Sequence, residues 1–322
     1  MKGSHRLIIQ SSHLKYDMSF KRNITIIKGN TATGKTTLVD MIREYNSNGA
    51  DTGISFNCDV PCKVLEGNDW EAQLSIIHNS IVFVDEGNRF ISSKDFASAI
   101  LGSDNYYVLI TRESISTLPY SVSEIYGIHS SGRYNSLEPV YHEMYRIYGD
   151  DDYDATFDPE IILTEDSNSG YELFSFIGDA NGKKCISANG KDKIFGLIES
   201  NNLSGNILII ADGAAFGSQM EKVSDAIIKR SNIKMYLPES FEWIILNSDV
   251  LNDADVRNIL SSPEDHIESK DFFSWERYFT HLLVERSQDT FLKYNKHKLN
   301  KNYLNEKIID QIKKVLPEKL KI

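Results

Sequence analysis

The 322-residue sequence lacks a long apolar run, which excludes a membrane-spanning helix because such a helix needs about 18 or more apolar residues in succession. Cysteine is scarce: Cys58, Cys62 and Cys185 cannot all pair, and a Cys-x3-Cys spacing without a second ligand pair is a poor zinc signature. The N-terminal MKGSHRLIIQSS has no signal-peptide core. We therefore expect a cytoplasmic protein without membrane contact.

A net positive charge is also lacking, since 35 Lys and Arg stand against 46 Asp and Glu and give a net charge of −11. This balance argues against a protein that coats nucleic acid with its whole surface. Residues 291–322 are the exception, because nine lysines there meet only three acids, for a net charge of +6. Such a basic tail predicts either contact with nucleic acid or a solvated helix face.

Alternating strand and helix patterns over residues 1–148 predict an α/β domain. HRLIIQSSHLKYDMSF and NITIIKG are typical of strands, and TTLVDMIREY has the apolar spacing of a helix. The runs SIVFVDEG and NYYVLITRE are continuously apolar before they reach polar residues, as strands buried on both faces are. These patterns favour a doubly wound domain with a parallel sheet.

An acid-rich segment over 149–160, poor in aliphatic residues, is the predicted linker. The alternation then resumes, with strands in EIILTE, KKCISANG, NILIIAD and IKMYL and helices between them. PESFEWIIL predicts a further helix that begins at Pro238. From 266 to 322 the pattern is helical, polar and basic. The chain is thus predicted to hold two α/β domains and a helical C-terminal segment.

GNTATGKT, residues 29–36, fits the phosphate-loop pattern G-x-x-x-x-G-K-[ST] without a mismatch, between a predicted strand and a predicted helix. Glycines let the backbone wind tightly, and its amides and the helix N-terminus point at the anion. Lys35 is expected to reach the β- and γ-phosphates, and Thr36 to bind Mg²⁺. The predicted nucleotide-binding residues are Gly29, Asn30, Thr31, Ala32, Thr33, Gly34, Lys35, Thr36 and Thr37.

Two acids, Asp85 and Glu86, end the apolar run IVFVDEG. Beside a phosphate loop, this pair resembles the Walker B box of ATPases. The resemblance implies that Asp85 holds Mg²⁺ through water and that Glu86 polarises the attacking water, which makes Lys35 and Glu86 the catalytic candidates. Thr111 and Arg112 end the next strand, where related folds sense the γ-phosphate; the alternative is a surface polar pair.

The signatures of other phosphate-loop classes are lacking. NGKD at 189–192 has the letters of the guanine motif N-K-x-D in the wrong order and lies in the second α/β region. No LSGGQ-like signature precedes Asp85, and only 50 positions separate Lys35 from Asp85. The sequence has no cluster of arginines of the kind that forms the lid of a kinase, although a small-molecule kinase remains an alternative. ATP is therefore the expected nucleotide.

A second set of acids follows the strands of residues 161–265. Glu165 ends EIILTE, Asp212 ends ILIIAD, and Glu242 lies near the start of the helix in SFEWIIL. In open α/β sheets, ligands bind at the carboxyl ends of the strands. We therefore expect a second site at this edge of the sheet.

The order of these acids resembles the Toprim domain of topoisomerases, primases and OLD-family nucleases, over roughly residues 159–251. The resemblance implies Mg²⁺-dependent phosphodiester chemistry, with Glu165 as the strand-end Glu and Asp212 as the first Asp of Asp-x-Asp. ANGKDKI, with Lys191, is similar to a glycine–lysine segment of the OLD-like branch, and Glu242 to its later acidic position. The pairing with a phosphate loop resembles OLD-family and related ATPase–Toprim proteins of bacterial anti-phage systems.

The resemblance implies an α/β fold class in four segments: a P-loop NTPase domain over 1–148, the linker over 149–160, a Toprim-like α/β domain over 161–265 and a helical basic segment over 266–322. Ala214 departs from the family, because it stands where the second Asp is expected. Mg²⁺ prefers near-octahedral oxygen ligation. Glu242 or Asp166 would therefore have to replace that ligand, or the site has lost its metal and cleavage.

Several functions stand open at this point. The first is an ATP-regulated nuclease for DNA or RNA, in which Glu165 and Asp212 are catalytic and bind metal together with Glu242. The second is an ATP-dependent sensor or scaffold that binds nucleic acid or a partner protein without cutting. A further alternative is that the acids merely end strands of an ordinary α/β fold. We expect a homo-oligomer, because P-loop ATPases often work at subunit interfaces.

Overall fold

The computed structural model describes residues 1–29, 34–130, 140–149, 153, 155–200 and 203–322 of an α/β protein. The chain divides into two compact units. The first unit comprises Met1–Tyr148 and Ser262–Ser274, and the second comprises Gly149–Ser261 and Trp275–Ile322. Residues 262–274 thus pack with the first unit, although they follow the second α/β region in sequence.

The sheet of the first unit has nine strands in the order β4-β1-β2-β9-β8-β3-β7-β6-β5. The strands are β1 His5–Gln10, β2 Leu14–Phe20, β3 Ile24–Ile27, β4 Ser55–Asn57, β5 Cys62–Val64, β6 Ile81–Val84, β7 Tyr106–Ile110, β8 Ile125–Ser130 and β9 Val140–Arg146. From β5 to β8 the neighbours pair in parallel. The β1–β2, β1–β4 and β8–β9 pairs are antiparallel.

The expectation of a parallel sheet is therefore wrong for one half of the sheet. HRLIIQSSHLKYDMSF forms two strands, because the chain reverses after Gln10, where the Ser11 amide donates to the Leu14 carbonyl at 2.8 Å. His5 consequently lies opposite Phe20 in the register. This hairpin and the β8–β9 pair extend the parallel half into a mixed sheet.

The two edges of this sheet approach each other. β4 and β5 are its outermost strands, yet only residues 58–61 connect them, and so short a link spans at most about 18 Å. The helices of the unit are α1 Lys35–Asn48, α2 Trp70–Leu74 and α3 Lys94–Ile100. Buried residues of α1, including Leu38 and Ile42, share one apolar core with Leu7 of β1 and Cys62 of β5. The helix that begins at the phosphate loop is thus anchored in this core.

The sheet of the second unit has four parallel strands in the order β11-β10-β12-β13. The strands are β10 Ile161–Thr164, β11 Lys184–Ser187, β12 Ile207–Ile210 and β13 Ile233–Tyr236. The helices are α4 Ser169–Ala180, α5 Lys191–Glu199, α6 Gly217–Ile227, α7 Phe241–Asn247, α8 Ala254–Ser261, α9 Trp275–Ser287 and α10 Glu306–Lys313. The four strands predicted after the acidic segment are confirmed.

The helix predicted to begin at Pro238 begins at Phe241 instead. Ser240 is its N-cap, and the Ser240 hydroxyl accepts a hydrogen bond from the Trp243 amide at 3.1 Å. A serine that binds this otherwise unpaired amide is a stronger start signal than a proline two residues earlier. Glu242 lies in the first turn of this helix, as expected from the sequence.

Residues 150–152 and 154 of the predicted linker lie outside the described part of the chain. The described linker residues belong to the second unit. Phe157 forms a parallel bridge with Leu320, and the buried hydroxyl of Tyr153 donates to the Met235 carbonyl at 2.6 Å. Among the described residues, no helix is both long and apolar enough to cross a membrane.

Candidate functional sites

The predicted phosphate loop lies between β3 and α1, and its residues 30–33 fall outside the described part of the chain. Gly34 precedes α1 in the left-handed conformation, with φ of 83°. A Cβ at Gly34 would lie 2.8 Å from the Tyr16 hydroxyl and 3.2 Å from Cε1 of His142. Both the backbone angle and the close neighbours therefore require glycine.

A stacked pair of rings supports Gly34. The Tyr16 hydroxyl donates to the Gly34 carbonyl at 2.8 Å, and the Tyr16 ring stacks on the His142 ring with centroids 4.7 Å apart. Both side chains are buried, and burial lowers the pKa of His142 despite a backbone hydrogen bond with His129. The sequence gives no signal for this pair, because β2 and β9 become neighbours only in the folded sheet.

Lys35 begins α1 and is 6% exposed. Its Nζ donates to the Gly29 carbonyl at 2.8 Å, which places the ammonium group beside the first residue of the predicted phosphate loop. Burial lowers the pKa of Lys35, and the nearby charges of Glu86 and Asp85 partly oppose this shift. Thr36 and Thr37 follow on the first turn of α1 and are exposed to solvent.

The predicted acids and the sensor pair lie at the same edge of the sheet as the phosphate loop. β7 lies between β3 and β6, so Thr111 and Arg112 come directly beside the loop strand, and Asp85 and Glu86 come one strand further away. Since these strands are parallel, their carboxyl ends meet at one edge. The fold thus brings the first set of predicted residues together.

Arg112 binds both carboxylate oxygens of Glu86. Its Nε and one terminal nitrogen lie 2.9 and 2.8 Å from the two oxygens, in the bidentate geometry that makes such pairs strong. Arg112 is the main cause that lowers the pKa of Glu86. The carboxylate predicted to polarise water is therefore occupied by the residue predicted to sense the γ-phosphate.

The second set of predicted acids also comes together. β10 and β12 are neighbours, and Glu165 and Asp212 follow their carboxyl ends. A Glu165 carboxylate oxygen accepts from the Asp212 amide at 3.1 Å, and an Asp212 carboxylate oxygen accepts from the Phe241 amide at 3.0 Å. Glu242, 1% exposed, lines the same cavity.

Three residues of the C-terminal region, Glu276, Tyr294 and Lys296, complete this site, and the sequence analysis did not identify them as site residues. Tyr294 and Lys296 line the cavity. The Tyr294 hydroxyl donates to Glu242 at 2.9 Å, and Lys296 Nζ donates to Glu276 at 2.8 Å. The only available signal was the alternation in KYNKHK, whose residues 294 and 296 face inward.

Burial and mutual repulsion shift the carboxyl groups of this site. Burial, with a contribution from Glu276, raises the pKa of Glu165 to about 7, while the Asp212 amide and Lys191 oppose the rise. Burial likewise raises the pKa of Asp212, and Glu276 and Glu165 add to the effect. Burial alone would lower the pKa of Lys296, but the surrounding carboxylates raise it above its ordinary value. Burial and mutual repulsion thus favour the protonated forms of Glu165 and Asp212, while the same carboxylates favour the charged form of Lys296.

The other sequence-predicted residues have protein partners of their own. Asp166 accepts from the amide and the side chain of Asn168 at 3.1 and 2.6 Å, and Lys191 donates to the Ala215 carbonyl at 2.8 Å. Ala214 is 3% exposed. Asp166 nevertheless lines the same cavity as Glu165, and the charge of Lys191 acts on the pKa of Glu165.

The donor chemistry of the second site suits Mg²⁺ only in part. Carboxylate oxygens are the ligands that Mg²⁺ prefers, usually with several waters, and the cavity has an accessible volume of about 40 Å³, room for a few waters. However, within the described ranges no group of three or more His, Cys, Asp or Glu side chains is placed to hold a metal ion. Glu165 and Asp212 would hold Mg²⁺ as a pair, with water as the remaining ligands.

Comparison with known proteins adds no assignment: no family model matches the chain, and no curated protein matches it.

Proposed function

We propose that this protein binds and hydrolyses ATP in its first unit, a P-loop NTPase domain, and acts on nucleic acid through a Toprim-like second unit. The observation that carries the ATPase half is the meeting of Lys35, Asp85, Glu86 and Arg112 at the carboxyl ends of β3, β6 and β7. This edge is where open α/β sheets bind ligands.

At the nucleotide site, each residue has a distinct task. Lys35, whose Nζ binds the Gly29 carbonyl, would place its charge against the β- and γ-phosphates. Thr36 and Asp85 would hold Mg²⁺, which neutralises phosphate charge when bound. Glu86 would orient the attacking water once its carboxylate is released from Arg112, whose two nitrogens then face the γ-phosphate. Binding of the nucleotide would thus draw Arg112 away and leave the Glu86 carboxylate able to bind water.

At the second site, Glu165 and Asp212 would hold Mg²⁺, which supplies an activated water for phosphodiester hydrolysis. Lys296 adds a positive charge beside them, held in place by Glu276, and this charge suits a phosphate oxygen. Glu242 and Tyr294 brace the wall of the cavity through their mutual hydrogen bond. The proposed reaction is metal-dependent cleavage of DNA or RNA, under the control of the nucleotide state.

A second candidate function is an ATP-dependent sensor or scaffold that binds nucleic acid or a partner protein without cutting. Ala214 favours it, because the ligand expected at this position is lacking. Lys296 favours it as well, because its ammonium already supplies a cation inside the acidic cavity. The resemblance to ATPase–Toprim pairs makes anti-phage defence by a cytoplasmic homo-oligomer the proposed setting for either function.

Separate assays test the two halves of the proposal. Lys35→Ala should sharply weaken ATP binding, and Glu86→Gln should retain bound ATP while slowing release of phosphate. Wild-type rates of ATP hydrolysis in both variants would refute the ATPase assignment, and transfer of the phosphate to a small molecule would favour the kinase alternative.

The nuclease half is tested with plasmid DNA and RNA in Mg²⁺ or Mn²⁺. Glu165→Ala and Asp212→Ala should abolish cleavage and leave ATP hydrolysis nearly unchanged, because the two sites lie on different units. Asp179→Ala, which removes an exposed carboxylate of the second unit, is the matched control and should cleave normally. A wild-type protein that binds nucleic acid but never cleaves it would select the scaffold function.

A further inference from the structure

The segment from Phe291 to Lys301, which we name the basic arch, has two faces. Leu292, Tyr294 and Leu299 are buried, and Lys296 points into the cavity of the second site. Lys293, Lys298 and Lys301 are exposed, together with His297. The segment contains no acidic residue. One short stretch of chain therefore supplies both an inner wall of the cavity and a basic outer surface beside it.

Hydrogen bonds hold the arch in one conformation. The Asn300 side chain donates to the carbonyls of Phe291 and Lys293 at 2.9 and 3.2 Å, which closes the base of the arch and brings Lys293 near Lys301. The Asn302 side chain also donates to the Phe291 carbonyl, at 2.6 Å.

The inner side of the arch is attached to the body of the unit. Ser169 donates to the Lys296 carbonyl through its amide at 3.0 Å and to the Asn295 carbonyl through its hydroxyl at 2.6 Å. The Leu299 amide donates to Glu172 at 2.7 Å. A ligand on the outer face would therefore meet side chains on a preorganised backbone.

The charges of the outer face are not neutralised within the part of the chain that the structure describes. Lys296 pairs with Glu276 at 2.8 Å, whereas Lys293, Lys298 and Lys301 form no ion pair among the described residues. Phe291, at the same base, is 68% exposed. Lysines without carboxylate partners beside an exposed aromatic ring suit single-stranded nucleic acid, because its phosphates meet the charges and its bases stack on the ring.

We propose that the basic arch binds single-stranded nucleic acid and guides it to the cavity of the second site. The proposal rests on the proposed action on nucleic acid and identifies the form of the substrate and the surface that holds it. Lys298 lies two residues from Lys296, within about 7 Å along the chain. Lys296 lines the cavity together with Glu165 and Asp212. A nucleic-acid strand bound to Lys298 and its neighbouring lysines would therefore lie close to the cavity.

Binding is measured without ATP and in EDTA, so that neither hydrolysis nor metal contributes. The probe is a fluorescently labelled single-stranded DNA oligonucleotide, and its anisotropy is followed with the full-length protein. The test variant is Lys293→Gln/Lys298→Gln/Lys301→Gln. The control variant, Lys307→Gln/Lys314→Gln/Lys319→Gln, removes the same charge from exposed lysines of the same C-terminal region. Both sets of side chains are exposed, and thermal unfolding verifies that each variant is folded.

The arch variant should bind at least about tenfold more weakly, and its slope of log affinity against log salt should be shallower by about 2, since each neutralised phosphate of a single strand contributes about 0.7. Phe291→Ser should weaken binding about fivefold or more. The control variant should stay within about twofold of the wild type. Duplex DNA should bind more weakly than the single strand.

Three results of the binding assay would overturn the proposal: a control variant that loses as much affinity as the arch variant, a wild type that binds no single strand, or polyglutamate that competes as well as the oligonucleotide. The last result would identify an acidic polypeptide as the partner. Cleavage in Mn²⁺ is scored separately. Binding through the arch without cleavage would refute the nuclease and retain the arch; cleavage that the arch variant performs with unchanged KM would refute the arch and retain the nuclease.

Discussion

Replacing Glu165 by Gln should stabilise the second unit at pH 8. In the folded protein the pKa of Glu165 is raised from its ordinary 4.5 to about 7, chiefly by burial. The folded state therefore holds a proton that the unfolded state releases, and stability falls as pH rises from 4.5 through 7. At about 1.4 kcal/mol per pH unit, the loss of stability amounts to at most about 3 kcal/mol. It is limited because protonation of either Glu165 or Asp212 already removes the repulsion between the two carboxylates.

Glutamine retains the shape of Glu165 and an oxygen that accepts from the Asp212 amide, but it carries no charge. The free energy of unfolding of Glu165→Gln should exceed that of the wild type at pH 8 by up to about 3 kcal/mol. At pH 4, where both forms are neutral, the two proteins should be nearly equal. The wild type should lose stability between these pH values, and Glu165→Gln should lose less.

Urea unfolding followed by tryptophan fluorescence measures this difference, because two of the three tryptophans, Trp243 and Trp275, belong to the second unit. Glu318→Gln removes an exposed carboxylate of the same unit and is the matched control, with no gain expected at pH 8. Addition of Mn²⁺ at pH 8 should stabilise the wild type more than Glu165→Gln. A variant that is less stable than the wild type at pH 8 would refute the reasoning.

Three further predictions concern single contacts. Gly34→Ala places a Cβ on a residue in the left-handed conformation, which costs about 1–2 kcal/mol, and within 3.2 Å of the buried His142 ring. Titration calorimetry should therefore show weaker ATP binding. Unchanged affinity would contradict the role given to this glycine. Arg112→Gln should raise the pKa of Glu86 in the free enzyme, so the acidic limb of the pH profile of kcat/KM for ATP hydrolysis should move to higher pH. A limb that does not move would show that the ion pair with Arg112 does not influence catalysis by Glu86. Tyr294→Phe leaves buried Glu242 without its hydroxyl partner and should lower the free energy of unfolding by about 1–3 kcal/mol. Urea unfolding measures this loss. The double variant Tyr294→Phe/Glu242→Gln should lose less, because the glutamine side chain carries no charge.

Local patterns were sufficient where neighbours in sequence are also neighbours in space. The strand that ends at Ile27 and the helix that starts at Lys35 follow from apolar spacing on either side of a glycine loop. The four strands of the second unit follow from short apolar runs between turns. The start of α7 differs from the prediction, because Ser240 rather than Pro238 marks where the helix begins.

The sequence by itself determined the residue types that can meet a phosphate or a divalent ion and their positions at the ends of strands, because these features depend on the local backbone. Only the tertiary structure decided which distant residues join them. His142 reaches the phosphate loop because β9 pairs with β2, and Lys296 enters the second cavity because Ser169 binds the backbone of the arch. Such contacts arise from strand order and long-range hydrogen bonds, and no period in the sequence encodes them.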